Sequence, residues 1–334
     1  MTDRATTLAS LYERELQPIA TELEQQRRNI RQRAMVVGLG LFGGTAILLL
    51  LSLIIVPTSF FFFLAFGLIA LAVVAWNALM NGAFQNYRRS FKDNVITRLV
   101  KLVDESLLYA PGQGISRDEF RASQLYTRDI DRYNREDLFY GMVGATDIRF
   151  SEVHAEYKQT TTDSKGNTTT TYHTIFKGIF FIGDFHKDFL GQTIVMPSGG
   201  SGLLADFGRT LQNFGTTLIG QGDRIVQLED PEFMQLFSVR STDQVEARYI
   251  LSTSLMRRLI EFRTRLNTPI AVSFINSNIY IAIPTTKDHF EPPGLWSGNA
   301  QLSMEQFETY LEDIRLAAAI VEDLNLNTRI WSKQ

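Results

Sequence analysis

Residues 54–63 read IIVPTSFFFF and lie inside a run, residues 34–87, that contains no Asp, Glu, Lys or Arg. A bilayer core about 30 Å thick needs about 20 apolar residues per crossing helix, so the run is long enough for two. Pro57 marks where the first must stop. Proline lacks the N–H that a helix interior uses and drives the preceding residue out of the helical region. The expectation is a transmembrane helical hairpin with spans over 34–56 and 59–80 and Pro57-Thr58-Ser59 at its tip. One long kinked helix would overshoot a bilayer more than twofold.

Charge sets the direction. Arg27, Arg28, Arg31 and Arg33 precede the run, and Arg88, Arg89 and Lys92 follow it; basic flanks stay in the cytoplasm. Two basic flanks require an even number of crossings, which places both termini in the cytoplasm and makes the protein multi-pass. A cleaved signal peptide fits poorly, because the apolar run starts late and is too long. The spans hold no ionisable residue, which argues against an ion or proton pathway. Gly40 and Gly44 form a small-xxx-small pair that lets helix backbones approach. Either the chain's own second span or a second copy would use it.

The arm over residues 1–33 places Leu8, Leu11, Tyr12, Leu16, Ile19 and Leu23 at helical spacing, with Pro18 as an expected kink. A similar pattern follows the run, from Tyr87 through Phe91, Val95, Leu99 and Leu102. The chain therefore divides into the arm, the hairpin over 34–85, a juxtamembrane helix over 86–110 and a cytoplasmic domain over 111–334. Beyond the run the chain holds 27 basic and 31 acidic side chains, and this acidic balance argues against nucleic acid. Cysteine is absent, which removes disulfides and thiolate chemistry.

In the C-terminal part Ser116 and Glu119 spell a helix-capping box. Ile148 and Phe150, then Val153, Ala155 and Tyr157, alternate with one slip that suggests a bulge. The Thr-rich stretch QTTTDSKGNTTTT over residues 159–171 reads as a hairpin tip. A turn at Lys165-Gly166 would set His173 opposite Lys158 and His154 opposite Lys177. Asp230 before Pro231 caps a helix, Asn276-Ser277-Asn278 turns a second hairpin, and Ser303 caps a last helix. The fold class is α+β: an antiparallel sheet with helices packed on one side.

Chemistry is sparse. His154, His173, His186 and His289 show no metal-ligand spacing, so neither a metal nor a cofactor is expected. Asp184 and Asp188 flank His186, an arrangement in which a carboxylate orients a general base; the plainer alternative is a polar turn between strands. The loop Gly199-Gly200-Ser201-Gly202 lacks the Lys-Ser/Thr of a phosphate loop. A helix through Leu211 and Phe214 follows it. Ser241, Thr242 and Arg248 stand at a helix start, either as a cap with a paired arginine or as an anion site.

The blocks TDIRFSEVHAEY (146–157), FKGIFFIGDFHKDF (176–189), LEDPEF (228–233), STDQVEARYIL (241–251) and FEPP (290–293) resemble, in order, the bacterial family labelled domain of unknown function 3137. The likeness spans roughly residues 90–330. It implies two membrane helices before a cytoplasmic domain in the bacterial inner membrane, and a LemA-type membrane protein as partner. It implies no activity and no catalytic residue. The residues favour a membrane-anchored binding or scaffold module, in contact with the lipid bilayer and forming homo-oligomers, over a membrane-tethered hydrolase built on His186 with Asp184 or Asp188.

Overall fold

The computed structural model describes residues 12–198, 224–297, 302–324 and 326. Leu8 and Leu11 of the arm, the Gly199-Gly200-Ser201-Gly202 loop and the helix expected through Leu211 and Phe214 lie outside the described residues. The chain forms two units, one of Met1–Arg98 with Phe290–Tyr310, the other of Leu99–His289 with Leu311–Gln334.

In the first unit a π-helical turn, Tyr12–Leu16, leads into α1, Gln17–Ile55. Pro18 sits in the first turn of α1, directly after the π-helical turn, so the proline lies where the helix passes from π to α pitch. The polar arm and the first apolar segment are one helix. The turn is Val56-Pro57, and Pro57 offers its carbonyl to the N–H groups of Phe60 (2.9 Å) and Phe61 (3.2 Å). That opens α2, Thr58–Phe91, one residue before the expected start. A second π-helical turn, Lys92–Ile96, follows, then α3, Thr97–Val103. Both long helices are apolar and long enough to cross a membrane, and only 6% of the most apolar window of each is buried. Leu39 is 79%, Ile54 83% and Phe63 79% exposed. A core helix of a water-soluble fold hides such a surface; here the chain leaves it open.

The base of the hairpin is packed. Leu16, Leu23, Phe91, Val95 and Ile96 are buried, and Phe91 meets Tyr310 edge-on at 5.3 Å between ring centroids.

The second unit is built on an antiparallel sheet. Its strands among the described residues are β1 (Leu107–Ala110), β2 (Arg132–Val143), β3 (Thr146–Thr162), β4 (Thr168–Asp184), β5 (Thr193–Pro197), β6 (Arg224–Ile225), β7 (Phe237–Ser241), β8 (Ala271–Ile275) and β9 (Asn278–Pro284). They run in the order β1-β2-β3-β4-β9-β8-β5-β7-β6. The helices are α4 (Arg117–Ala122), α5 (Pro231–Leu236), α6 (Gln244–Ile250), α7 (Thr253–Leu266) and α8 (Met304–Asp323), which begins in the first unit. The mixed α+β class read from the sequence is the one observed. The Ser116–Glu119 capping box is complete on α4.

One face of the sheet is covered by α4 and the chain after it. Phe120, Tyr126 and Ile130 pack there on Val153, Ala155, Phe176, Phe180, Tyr280 and Ala282. Two buried serines pin this layer: Ser151 accepts the Ile115 N–H (3.0 Å), and Ser273 donates to the Ser123 carbonyl (2.7 Å). The opposite face is buried too, since Phe150, Phe181, Ile279, Ile281 and Phe274 are also enclosed.

That double burial corrects the bulge expected within β3. From Ile148↔Gly183 to Ala155↔Phe176, β3 pairs with β4 without a break. Ile148 and Phe150 share a face with Phe181, whereas Ser151, Val153 and Ala155 share the other with Phe180 and Phe176. The slip in the apolar pattern marks where the strand changes which face it buries. A register shift does occur between Ala155 and Glu156, leaving Ile175 unmatched. It sets His173 opposite Tyr157 instead of Lys158, while His154 stands opposite Lys177 as expected.

Candidate functional site

His186 lies just beyond β4 in a left-handed conformation, φ 56°. Asp184 holds it from two directions, accepting the His186 backbone N–H at 2.8 Å and lying 3.1 Å from Nδ1. On the other side of the ring, Nε2 is 3.5 Å from Thr146 Oγ1. Read as Thr–His–Asp this resembles a nucleophile, base and orienting carboxylate, but Thr146 is 0% exposed, and a hydroxyl sealed from solvent meets no substrate. Asp188 does not join the pair: it accepts the Ser277 hydroxyl. Lys187 lies 3.5 Å over the Tyr249 ring, and burial lowers its ammonium pKa. The turn ties β4, β3 and the β8–β9 hairpin together.

At the second candidate, Ser241 is buried, with its hydroxyl within hydrogen-bond distance of the carbonyls of Gln192 (2.9 Å) and Asp243 (2.8 Å). Thr242 Oγ1 accepts the Gln192 N–H at 2.9 Å. Arg248 turns back to the Gln244 carbonyl on its own helix at 3.3 Å. The free amides that would attract an anion are taken by the chain's own carboxylates. Asp243 caps Val245 and Glu246 at 2.8 and 3.1 Å, and Glu246 accepts the N–H groups of Leu190 (3.0 Å) and Gly191 (2.7 Å). The three residues brought together here form a closed structural corner.

In the hairpin, β-carbons built at Gly40 and Gly44 would meet nothing within 4 Å, whereas one at Gly38 would come within 2.7 Å of Trp76 Cζ3. The second helix is received at Gly38. The Gly40–Gly44 stripe points elsewhere, so its use by the chain's own second span is corrected.

A fourth place was not read from the sequence. Asn134, Arg135, Glu136, Glu152, His154, Lys177, Gly178, Lys287 and Asp288 line a cleft of about 220 Å³. Glu152 pairs with Glu136 across β2 and β3, and accepts the His289 N–H at 2.7 Å. Burial pushes its carboxyl up to about 7, opposed by that hydrogen bond and by the His289 ring, and reinforced by Asp137 and Glu136. Asp137 is a buried left-handed residue in the β2 irregularity, where it accepts the Tyr109 hydroxyl. Behind the cleft, Asp313 lies 3.1 Å from His289 Nδ1 and 2.8 Å from Lys287 Nζ. Burial alone would raise the Asp313 carboxyl; these two partners outweigh it and hold it below its ordinary value. The lining cations are committed nearby, Lys177 to Asp288 (3.0 Å) and Arg135 to the Gly114 carbonyl (3.1 Å). The cleft thus holds a carboxyl, Glu152, that burial moves toward neutrality. The signal was present in the slip: Glu152 continues the phase of Ile148 and Phe150 and so falls on a covered face.

Residues 174–326 match the profile of the family described as protein of unknown function (DUF3137). This segment, a little under half of the chain, is similar to DUF3137. The match is narrower than the stretch over which the sequence resembles it, and the 146–157 block lies outside. Within the DUF3137 segment fall His186, Ser241 to Arg248, Lys287, His289 and Asp313; Glu152 lies upstream of it. A comparison with curated proteins finds no match. Among solved structures, the crystal structure of the mycobacterial trehalose monomycolate transport factor A, TtfA, aligns with 71% of this chain and 97% of its own at 9% identity and a TM-score of 0.33.

Proposed function

We propose that this protein is a membrane-anchored binding or scaffold module with no catalytic role for the His186 turn. The uncovered apolar surface of α1 and α2 carries the reading: two helices of this length that hide 6% of their apolar windows need a hydrocarbon environment. Arg27 to Arg33 before the run and Arg88 to Lys92 after it favour a hairpin entered and left from the cytoplasmic side of a bacterial inner membrane. The open Gly40–Gly44 stripe suits close approach by the same helix of a second copy, and a LemA-type membrane protein is the candidate hetero-partner.

Carbonate-washed membranes and vesicle flotation test the anchor, and cross-linking with affinity purification from solubilised membranes tests the module. The protein is expected to float with lipid after alkaline and high-salt washing and to return a homo-oligomer or a stoichiometric partner. Release by alkaline washing would remove the anchor, and a clean monomer without a partner would remove the scaffold.

A further inference from the structure

The first unit contains a short segment far away in sequence, and its attachment to the hairpin is specific. Glu291 lies 2.7 Å from Arg88 Nε and 2.9 Å from Lys92 Nζ. Tyr87 donates to the Pro293 carbonyl at 3.5 Å, and Tyr310 to the Glu291 carbonyl at 2.7 Å. Arg27, buried on α1, donates to the carbonyls of Gly294 (3.4 Å) and Ser297 (3.1 Å). Phe290 and Pro292 are buried in this attachment. Between the two carbonyls gripped by Arg27 lie Leu295 and Trp296, and Trp296 is 62% exposed. So many bonds leave the backbone fixed while presenting the largest apolar side chain of the segment to the outside.

Its level along the hairpin follows from the helix. Arg27 precedes Ala34, where the uncharged run begins, by seven residues, or about 10 Å of helix at 1.5 Å per residue. A bilayer carries roughly 5–7 Å of headgroups on each side of its hydrocarbon, and an indole bridges the remainder. Around the same level Arg28, Arg31, Arg33 and Arg89 are exposed. A basic collar attracts anionic lipid, and tryptophan is the residue that favours the boundary between headgroup and hydrocarbon.

We propose that Leu295 and Trp296 are an interfacial anchor, seated among anionic lipid headgroups with the arginine collar beside them. It rests on the reading that α1 and α2 span a bilayer. The anchor adds a third attachment point, contributed by the far end of the chain, and fixes the rotation of the hairpin about the membrane normal.

The full chain is reconstituted in vesicles of phosphatidylglycerol and phosphatidylcholine whose acyl chains carry bromine near the headgroup or near the bilayer centre. Fluorescence of the wild type minus that of Trp296→Phe isolates the indole. Shallow bromine is expected to quench this component at least twofold, deep bromine less, and aqueous iodide little. Because the chain has no cysteine, Trp296→Cys labelled with a fluorophore provides a second readout at the same point. Full iodide quenching without lipid quenching would overturn the proposal, as would shielding from both, which would assign the site to a protein surface. Flotation of the same preparations separates the two readings. Protein that floats with an unquenched Trp296 retains its spans and lacks this anchor; protein that does not float lacks both.

Discussion

Gly38 lies directly beneath the indole of Trp76, so close that a β-carbon on residue 38 would come within 2.7 Å of Cζ3. The ring of Phe42, one turn on, stands 6.0 Å from the same indole. The two helices of the hairpin are therefore keyed together at one glycine and one large aromatic. Gly38→Val should force Trp76 aside at a cost of about 1–3 kcal/mol and lower the thermal stability of the detergent-solubilised protein. Gly40→Val and Gly44→Val should leave the monomer's melting temperature unchanged and weaken only self-association. Equal melting losses at all three positions would remove this distinction.

His186→Ala should destabilise the second unit by about 1–2 kcal/mol, the usual cost of leaving hydrogen-bonding groups such as Asp184 and Thr146 unmatched. His186→Asn should recover part of the loss, because asparagine tolerates the left-handed backbone. Thermal denaturation of the purified chain provides the comparison. Full stability in His186→Ala with loss of a cellular phenotype would return the residue to a chemical role.

Glu152 makes stability depend on pH in a stated direction. Its folded pKa, about 7, lies above its ordinary 4.5, so the native state binds the proton more tightly. That contribution is complete below pH 4.5 and is lost as pH rises to about 7. Glu152→Gln, which carries no titrating proton, should gain on the wild type across this window by on the order of 1–3 kcal/mol. Asp313 works oppositely: its lowered pKa gives a contribution present above its ordinary 3.8 and lost as pH falls further. Urea midpoints of wild type and Glu152→Gln at pH 4.5 and 7.5 measure the first effect; parallel curves would contradict it.

Glu246→Ala should release the amides of Leu190 and Gly191 and loosen the chain between β4 and β5. Hydrogen exchange at those two amides should accelerate at least tenfold. Inorganic phosphate should show no saturable binding to the wild type at this corner by calorimetry. Saturable binding lost in Arg248→Ala would reinstate the anion site.

What the sequence disclosed divides by distance along the chain. The stop at Pro57, the Ser116–Glu119 box, the Asp230 cap and the turn at Asn276-Ser277 are decided by residues within four positions of one another, and local spacing displayed them. Gly38 escaped notice because which side of a helix meets its neighbour depends on rotation about its axis, and Gly38, Gly40 and Gly44 look alike in a row of letters. Glu246 escaped because its partners lie 55 and 56 residues away. Glu152 was visible in the alternation but read as a bulge, since a pattern of exposed and buried residues does not say whether one face or two are covered.

The helix α1 has no break from Gln17 to Ile55, a rod about 58 Å long at 1.5 Å per residue. Arg27 grips Gly294 and Ser297 on its polar half, and the bare apolar surface occupies the rest. A lever with no hinge moves as a whole. Any tilt imposed on the apolar end, by bilayer thickness or by a neighbouring helix, reaches the segment around Trp296 as the same angle, undiminished.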